Sequence, residues 1–404
     1  MDRTLYIDNL RSMMILTIVI FHSAMAYTTI LPWWFALDNN NNQIFDLLIL
    51  FFDSFQLPVL FLLAGYFVLP SLKKYGAFNF TVKKIRKLVI PLILLSITYT
   101  PLMAYIRYTQ HVENPIGYIS YFTKYLATIS DYGIFYYADI ATIMKYADSF
   151  WLFHLWFLSV LFVFYIVTVV ICIFVIKKKI NKNQTINPYT LPFLVAGIIT
   201  ALLVFATNLF FFDWEWIKAG SFFVCQPVRM PVYIGMFILG LYGYRNNWFK
   251  NQIPGNPWKW YILSLTLFLF LIACSNKMWI DQDKSNIVLA LFYSILRSFV
   301  TISWFCFFLN VSKKYLNKTN KVTRFISFHS YELFLLHLPI TVSLQLGFTK
   351  INLPVGIKFL MVSVLSVILS LILSSLIYKR IQNFIENFSF FESSKENTTA
   401  VENI

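Results

Sequence analysis

The 404-residue chain is 58% hydrophobic and 19% aromatic but only 13% charged, with a mean hydropathy of +0.66. A soluble globular protein carries about twice that charged fraction. A soluble multidomain chain is therefore excluded, and the apolar runs of about 20 residues read as membrane spans. The net charge of +15 would point a soluble protein toward nucleic acid. Here the cations sit in short loops between apolar runs, where they set topology, so no nucleic-acid partner is expected.

The pattern predicts an all-α, polytopic membrane bundle of about ten spans, at 11–31, 44–69, 88–106, 150–176, 191–212, 221–243, 260–279, 287–310, 326–345 and 354–378. A short apolar run at 13–21 after Arg3 and Arg11, with Ala24-Met25-Ala26 resembling a cleavage site, imitates a secretory leader. His22 interrupts that run and apolar residues resume to Leu31, so it is read as a retained first span. The loops alternate in chemistry. Lys73, Lys74, Lys83, Lys84, Arg86 and Lys87 share one side with Lys177–Lys179, Arg245, Lys313, Lys314 and Arg324. By the positive-inside rule that side, with both termini, is cytoplasmic. The longest connection, 107–149, then faces outward. It is Tyr-rich and carries Asp131, Asp139 and Asp148, which suits either an ordinary interfacial helix or a carbohydrate-facing lip. One transmembrane domain over 1–385 is followed by a polar tail, 386–404, read as disordered. Cys172, Cys225, Cys274 and Cys306 fall in apolar runs without ligand spacing and read as core thiols. No metal site is expected.

Ionisable groups within hydrocarbon are costly, so they default to functional candidates. They are His22, Asp46, Asp53, His154, Arg229, Arg297, Glu332 and His337. Arg11 and His22 stand eleven positions apart, roughly 20° beyond three full helical turns and about 16 Å of rise. They share one stripe of the first helix, with Arg11 at the cytoplasmic edge and His22 near the midplane. Asp8, three residues before Arg11, can hold the guanidinium. Arg11 alone is either a topological anchor or a phosphate or carboxylate binder. His22 alone is either an interhelical hydrogen bonder or a proton acceptor for a hydroxyl. The basic turn Lys83-Lys84-Ile85-Arg86-Lys87 suits a polyphosphate ligand such as coenzyme A, or simply anionic lipid headgroups.

Taken in order, six segments resemble the integral-membrane acyltransferase-3 family, and within it the glucan O-succinyltransferase type. They are Tyr6-Ile7-Asp8-Asn9-Leu10-Arg11 with His22 at Arg-x10-His spacing, Phe55 to Phe67 with Ala64-Gly65-Tyr66, the basic turn before Pro91, His154-Leu155-Trp156, Arg229-Met230-Pro231 leading to Gly240, and Ser330-Tyr331-Glu332 to His337. The resemblance covers nearly the whole membrane region. Two departures stand out. The family's Arg-x-x-Arg at the basic turn is here Lys84 and Lys87, with Arg86 between. Asp53 stands where glucan-type members have a histidine.

The resemblance implies O-acyl transfer from cytoplasmic acyl-CoA, acetyl-CoA or succinyl-CoA, to a hydroxyl of an extracytoplasmic glycan, in a bacterial inner membrane. It assigns His22 as the catalytic histidine with Arg11 as its partner and the basic turn, Lys84, Arg86 and Lys87, as the acyl-CoA site. In that role His22 is either base or transiently acylated group, and Asp8 is read with Arg11 as the holder of its guanidinium. His154, Trp156, Arg229, Tyr331, Glu332, His337 and Asp53 are then expected at the acceptor or cavity. Arg229 would stabilise an oxyanion or a donor carboxylate, or else pair with Asp46, Asp53 or Glu332. Trp156 is a sugar platform or a belt residue, and His337 closes the cavity or packs. The rival from another class is a transporter or lipid-linked-glycan flippase. That predicts inverted repeats and broken helices, of which only Pro227 and Pro231 hint at one. A receptor or structural protein would leave the Arg11–His22 stripe without a purpose.

Overall fold

The computed structural model describes residues 5–130, 136–138, 147, 149–174, 190–213, 215–249, 256–275 and 286–387. Twelve helices dominate: α1 Leu5–Ala24, α2 Gln43–Asp53, α3 Gln56–Lys84, α4 Ile90–His111, α5 Tyr118–Ala127, α6 Trp156–Phe174, α7 Thr190–Asn208, α8 Met230–Arg245, α9 Pro257–Ser275, α10 Ile287–Tyr315, α11 Lys321–Thr349 and α12 Val355–Asn387. Eight helical stretches among the described residues are long and apolar enough to cross a bilayer. One of them, Gln43–His111, contains two of the spans expected from the sequence. The molecule is a polytopic helical bundle.

Three departures from the sequence pattern matter for the site. First, α1 ends at Ala24 and a 3₁₀ turn at Tyr27, whereas the apolar run continues to Leu31. The last carbonyls of a helix need donors, and here the folded-back loop supplies them. Asp38 N donates to Ala26 O and Asn42 N to Tyr27 O, both at 2.9 Å. His22 therefore lies two residues from the end of α1, not in its middle. Second, α2 and α3 are separated at Ser54 and Phe55, so the expected 44–69 span is broken at Asp53. Third, the expected span 221–243 is helical only from Met230 to Arg245. Its beginning forms strand β3 (Phe223–Cys225), which pairs antiparallel with β2 (Trp216–Ala219), itself paired with β1 (Tyr136–Ala138). Gly220 takes φ +65° in the β2–β3 turn, a conformation that favours glycine.

The helices pack as α3 on α8, α9 on α10, α11 on α12, α10 on α7 and α1 on α11. Small residues set the closest crossing. A Cβ on Gly240 would lie 2.1 Å from Leu62 O, and one on Gly65 would lie 2.1 Å from Phe237 O. In a bilayer, where lipid and leucine are equally apolar, such backbone approach is what holds helices together. Exposed Val167, Ile198, Leu202, Leu269, Leu360 and Leu376 face outward from the bundle, as a lipid-contacting surface requires. The thiols of Cys225, Cys274 and Cys306 are buried and that of Cys172 half-buried, all unpaired.

α3 bends at Gly76, which takes φ +73°. The chain then passes through a widened π-helical turn, Ile85–Val89, into α4. Single π turns occur often at functional sites, and this one carries Arg86 and Lys87. The outer-loop residues Asp131, Asp139 and Asp148, the Lys177–Lys179 run, and the tail beyond Asn387 lie outside the described residues.

Candidate active site

His22, half-buried near the end of α1, stands among aromatic and imidazole rings. The Trp34 indole stacks on it at 5.9 Å between centroids and 28° between planes. His337 of α11 lies 5.0 Å away, centroid to centroid, and His154 lies 6.3 Å away. His154 and His337 are themselves 4.9 Å apart. Three of the chain's five histidines therefore meet at one place. The Tyr99 hydroxyl of α4 lies 3.1 Å from His154 Nδ1.

These rings adjoin a cavity of about 750 Å³ whose lining includes His22, His154, Trp33, Trp34, Trp156 and Asp53. Trp151, Trp216, Gln56, Gln226 and Arg229 complete its aromatic and polar wall. The loop 28–42, α2 and the β2–β3 hairpin bound it, and all of these lie at the end of the bundle away from the basic turn. Such a lining, largely aromatic with a few placed polar groups, is the usual form of a small-molecule site. Gln56 is 2% exposed, and its Oε1 has no hydrogen-bond partner although the residue lines the cavity.

Asp53 and Arg229 belong to a buried four-charge cluster. Arg229 pairs with Asp53 Oδ1, and its Nη2 lies 3.5 Å from Asp213 Oδ2. Arg297 reaches Asp53 Oδ2 at 3.0 Å and Asp213 Oδ2 at 3.1 Å. The Tyr293 hydroxyl donates to Asp213 at 2.9 Å. Charges removed from water persist only when paired in this way. Of the partners weighed for Arg229, Asp53 is the one it meets. Asp46 is engaged elsewhere, accepting from Thr28 and from the Thr29 amide at 2.8 Å.

The remaining sequence candidates gather at the opposite end. Arg11 Nη2 lies 3.7 Å from Asp8 Oδ1, half a helix from His22. Lys84 Nζ stands 4.1 Å over the Tyr165 ring and Lys87 Nζ 5.0 Å over that of Tyr331. The Tyr331 hydroxyl donates to Lys87 O, which ties α11 to the π turn. Glu332 is 4% exposed, its Oε2 lacks a hydrogen-bond partner, and the charges of Lys87 and Arg11 act on its carboxyl. Tyr331 and Glu332 are thus not cavity residues, and His337, six and five residues further along α11, is their link to the histidine group. Arg11, Lys84, Arg86 and Lys87 do not line the cavity.

Sequence reasoning missed Trp34, Gln345, Tyr99 and Asp213. Gln345 Nε2 donates to His22 O at 2.8 Å and Ser23 O at 3.1 Å, while its Oε1 accepts from Trp34 Nε1 at 2.9 Å. A Gln in a predicted span is itself a signal of interhelical hydrogen bonding. Asp213 falls one residue beyond a predicted span, so the search for ionisable groups passed it by.

The bundle thus places three imidazoles beside a polar, aromatic cavity. The family model described as acyltransferase domain matches residues 4–379, and the chain belongs to that family; it is a membrane acyltransferase. No curated protein and no solved structure matched the chain.

Proposed function

We propose that the chain moves a small acyl group, acetyl or succinyl, from cytoplasmic acyl-CoA to a hydroxyl of an extracytoplasmic glycan. The carrying observation is the position of His22. Its Nδ1 is committed to hydrogen bonds, and its Nε2 is the ring nitrogen left for the aromatic cavity. Three turns back along the same helix, the Arg11 charge acts on Lys87 of the cationic π turn.

In this reading Lys84, Arg86 and Lys87 hold the phosphates of the donor, with Arg11 and Asp8 at the entrance. The flexible arm of the donor covers the 16 Å or so of helix rise between Arg11 and His22. The acceptor hydroxyl gives its proton to His22 Nε2 as its oxygen attacks the thioester carbonyl carbon. The carbon–sulfur bond breaks, and the leaving thiolate takes the proton from Nε2. One ester and one free thiol result. General base catalysis of this kind contributes about 10²–10⁴-fold.

The tryptophans suit the apolar face of a sugar ring, and Asp53, Gln56, Gln226 and Arg229 suit its hydroxyls. Arg229, the guanidinium of the cluster that lines the cavity, would be the cation within reach of a succinyl carboxylate, in keeping with the glucan-succinylating type. The reading places the enzyme in a bacterial inner membrane with the basic turn inside.

The test is thiol release from acyl-CoA by purified protein supplied with a glycan acceptor. Transfer by wild type and its loss in His22→Ala support the reading. Full activity of that variant overturns the catalytic assignment. Substrate flux into proteoliposomes without any thioester would favour a transporter. Mass spectrometry of surface glycans with and without the protein would identify acyl group and acceptor together.

A further inference from the structure

The hydrogen bonds around His22 fix where its protons sit. His337 Nδ1 lies 2.7 Å from Phe334 O. A carbonyl oxygen only accepts, so Nδ1 carries the proton, and in the neutral ring Nε2 is then the acceptor. That Nε2 lies 3.2 Å from His22 Nδ1. Two lone pairs cannot share such a contact, so His22 Nδ1 carries a proton and donates it. The same proton is forked toward Ile18 O at 2.9 Å. The tautomers are assigned from this network, and both acceptors agree. The lone pair of neutral His22 is therefore on Nε2, the ring nitrogen not taken by these bonds, on a residue that lines the cavity.

The two acceptors are not equivalent. Ile18 O is four residues back in α1 and already takes the helical bond from His22 N. It cannot accept a proton outright. His337 Nε2 can, and it belongs to a different helix, so it fixes the ring against its own helix as well. Neither ring of the pair has a carboxylate partner among the described residues. In most such arrangements a carboxylate orients the basic imidazole and stabilises it once protonated.

We propose that His337 is the positioning residue of His22, an imidazole in the place a carboxylate more often takes. It holds His22 in the Nδ1–H tautomer and shares that proton while Nε2 carries the proton of the acceptor hydroxyl. His154, 4.9 Å from His337 between ring centroids and in contact with Tyr99, extends the polar group on the far side. The inference rests on the reading of His22 as the base in acyl transfer.

The test joins a spectroscopic and a kinetic arm on the full-length protein in lipid. With ¹⁵N-labelled histidine, an N–H···N bond gives a measurable coupling between the two nitrogens across the hydrogen bond, and it needs no substrate. His337→Phe keeps a ring and removes the acceptor; His337→Gln returns an amide oxygen near the position of Nε2. The expected result is the coupling in wild type and its loss in both variants. His337→Phe should lower kcat about ten- to a hundredfold, the range for losing the outer partner of a metal-bound imidazole. KM for donor and acceptor should stay within about twofold and the unfolding midpoint should be retained. His337→Gln should recover part of the loss.

Absence of the coupling in wild type overturns the proposal, as does wild-type kcat in His337→Phe. So does a folded His337→Gln no better than His337→Phe. If wild type shows the coupling but releases no thiol from acyl-CoA, the donor assignment fails and the hydrogen-bonded pair stands. If transfer proceeds without the coupling, the pair fails and the donor assignment stands.

Discussion

Gln345 of α11 fastens Trp34 and the end of α1 with one amide. Its Oε1 accepts from the Trp34 indole at 2.9 Å, and its Nε2 donates to the carbonyls of His22 and Ser23. Both the ring that stacks on His22 and the backbone that carries it are thus held by the same side chain. Gln345→Leu strips these partners and leaves a buried indole N–H unsatisfied, which should cost about 1–3 kcal/mol. The check is the unfolding midpoint in detergent together with kcat for acyl transfer; both should fall. Trp34→Phe retains a stacking ring but loses the N–H, so it should fall between wild type and Gln345→Leu.

The four-charge cluster predicts a non-additive pair of variants. Asp53→Asn removes the carboxylate that Arg229 and Arg297 share with Asp213, and breaking a buried pair from one side costs about 3–5 kcal/mol. Adding Arg229→Gln removes the surplus positive charge and should restore part of that loss. A double-mutant cycle on unfolding in detergent measures the coupling. Additive losses would mean that the two side chains act separately.

Much of this was legible in the sequence, and the limits have physical causes. Apolar run length gave the bundle because the bilayer dictates it. The cost of buried charge picked out His22, His154 and His337, which converge in one group, and Asp53, Arg229 and Arg297, which converge in another; Asp46 lines the cavity but is held by Thr28 and Thr29, and Glu332 lies toward Lys87 and Arg11. The end of α1 was not legible, because Met25 to Leu31 are as apolar as the helix before them; only the loop 28–42 folding back on Ala26 and Tyr27 stops it. The β2–β3 hairpin was hidden likewise, since Phe222, Phe223 and Val224 read as membrane until they pair. Partnerships such as Gln345 with His22 or Lys358 with Asp38, the latter at 2.6 Å, span more than 300 positions. No local pattern encodes them.

The crossing of α3 and α8 predicts a sharp contrast among glycines. Gly240→Ala puts a methyl against the Leu62 carbonyl, and Gly65→Ala puts one against that of Phe237. Backbone cannot yield as a flexible side chain can, so the helices must part. The yield of folded protein should drop for either variant. Gly347→Ala in α11 meets nothing within 4 Å and should be neutral, or stabilising by up to about 1 kcal/mol through helix propensity. Size-exclusion profiles after solubilisation distinguish the two cases.

The hairpin that walls the cavity should respond to pH through Lys218. This lysine on β2 is fully buried, donates to Phe150 O at 2.5 Å and stands 5.0 Å over the Trp151 ring. Burial pushes its ammonium down to about 7, below the ordinary lysine value of about 10.4. Between those values the unfolded hairpin binds more protons than the folded one, so stability of the hairpin rises with pH across that window. It is lowest once pH falls below about 7. Amide exchange at β2 and β3, corrected for the intrinsic rate at each pH, should show protection increasing from pH 7 to 10 in wild type. In Lys218→Met the trend should be flat.

The basic turn makes the last prediction, because the donor assignment depends on charge and not on shape. In the proposed reading Lys84 and Lys87 would meet the donor phosphates as point charges, without the bidentate fork of arginine. One charge-assisted bond is worth about 1.5–3 kcal/mol, and 1.4 kcal/mol is tenfold in affinity. Lys84→Gln or Lys87→Gln should therefore raise KM for acyl-CoA about tenfold while kcat changes less than about twofold. Lys84→Arg should hold KM near wild type or lower it. Raising ionic strength should increase the wild-type KM, since exposed charge pairs are screened. An acyl-pantetheine donor, which keeps the thioester and lacks the phosphates, separates this from a structural effect: with it the Gln variants and wild type should coincide. If the variants lose equally with both donors, the turn anchors the helices and does not hold the phosphates.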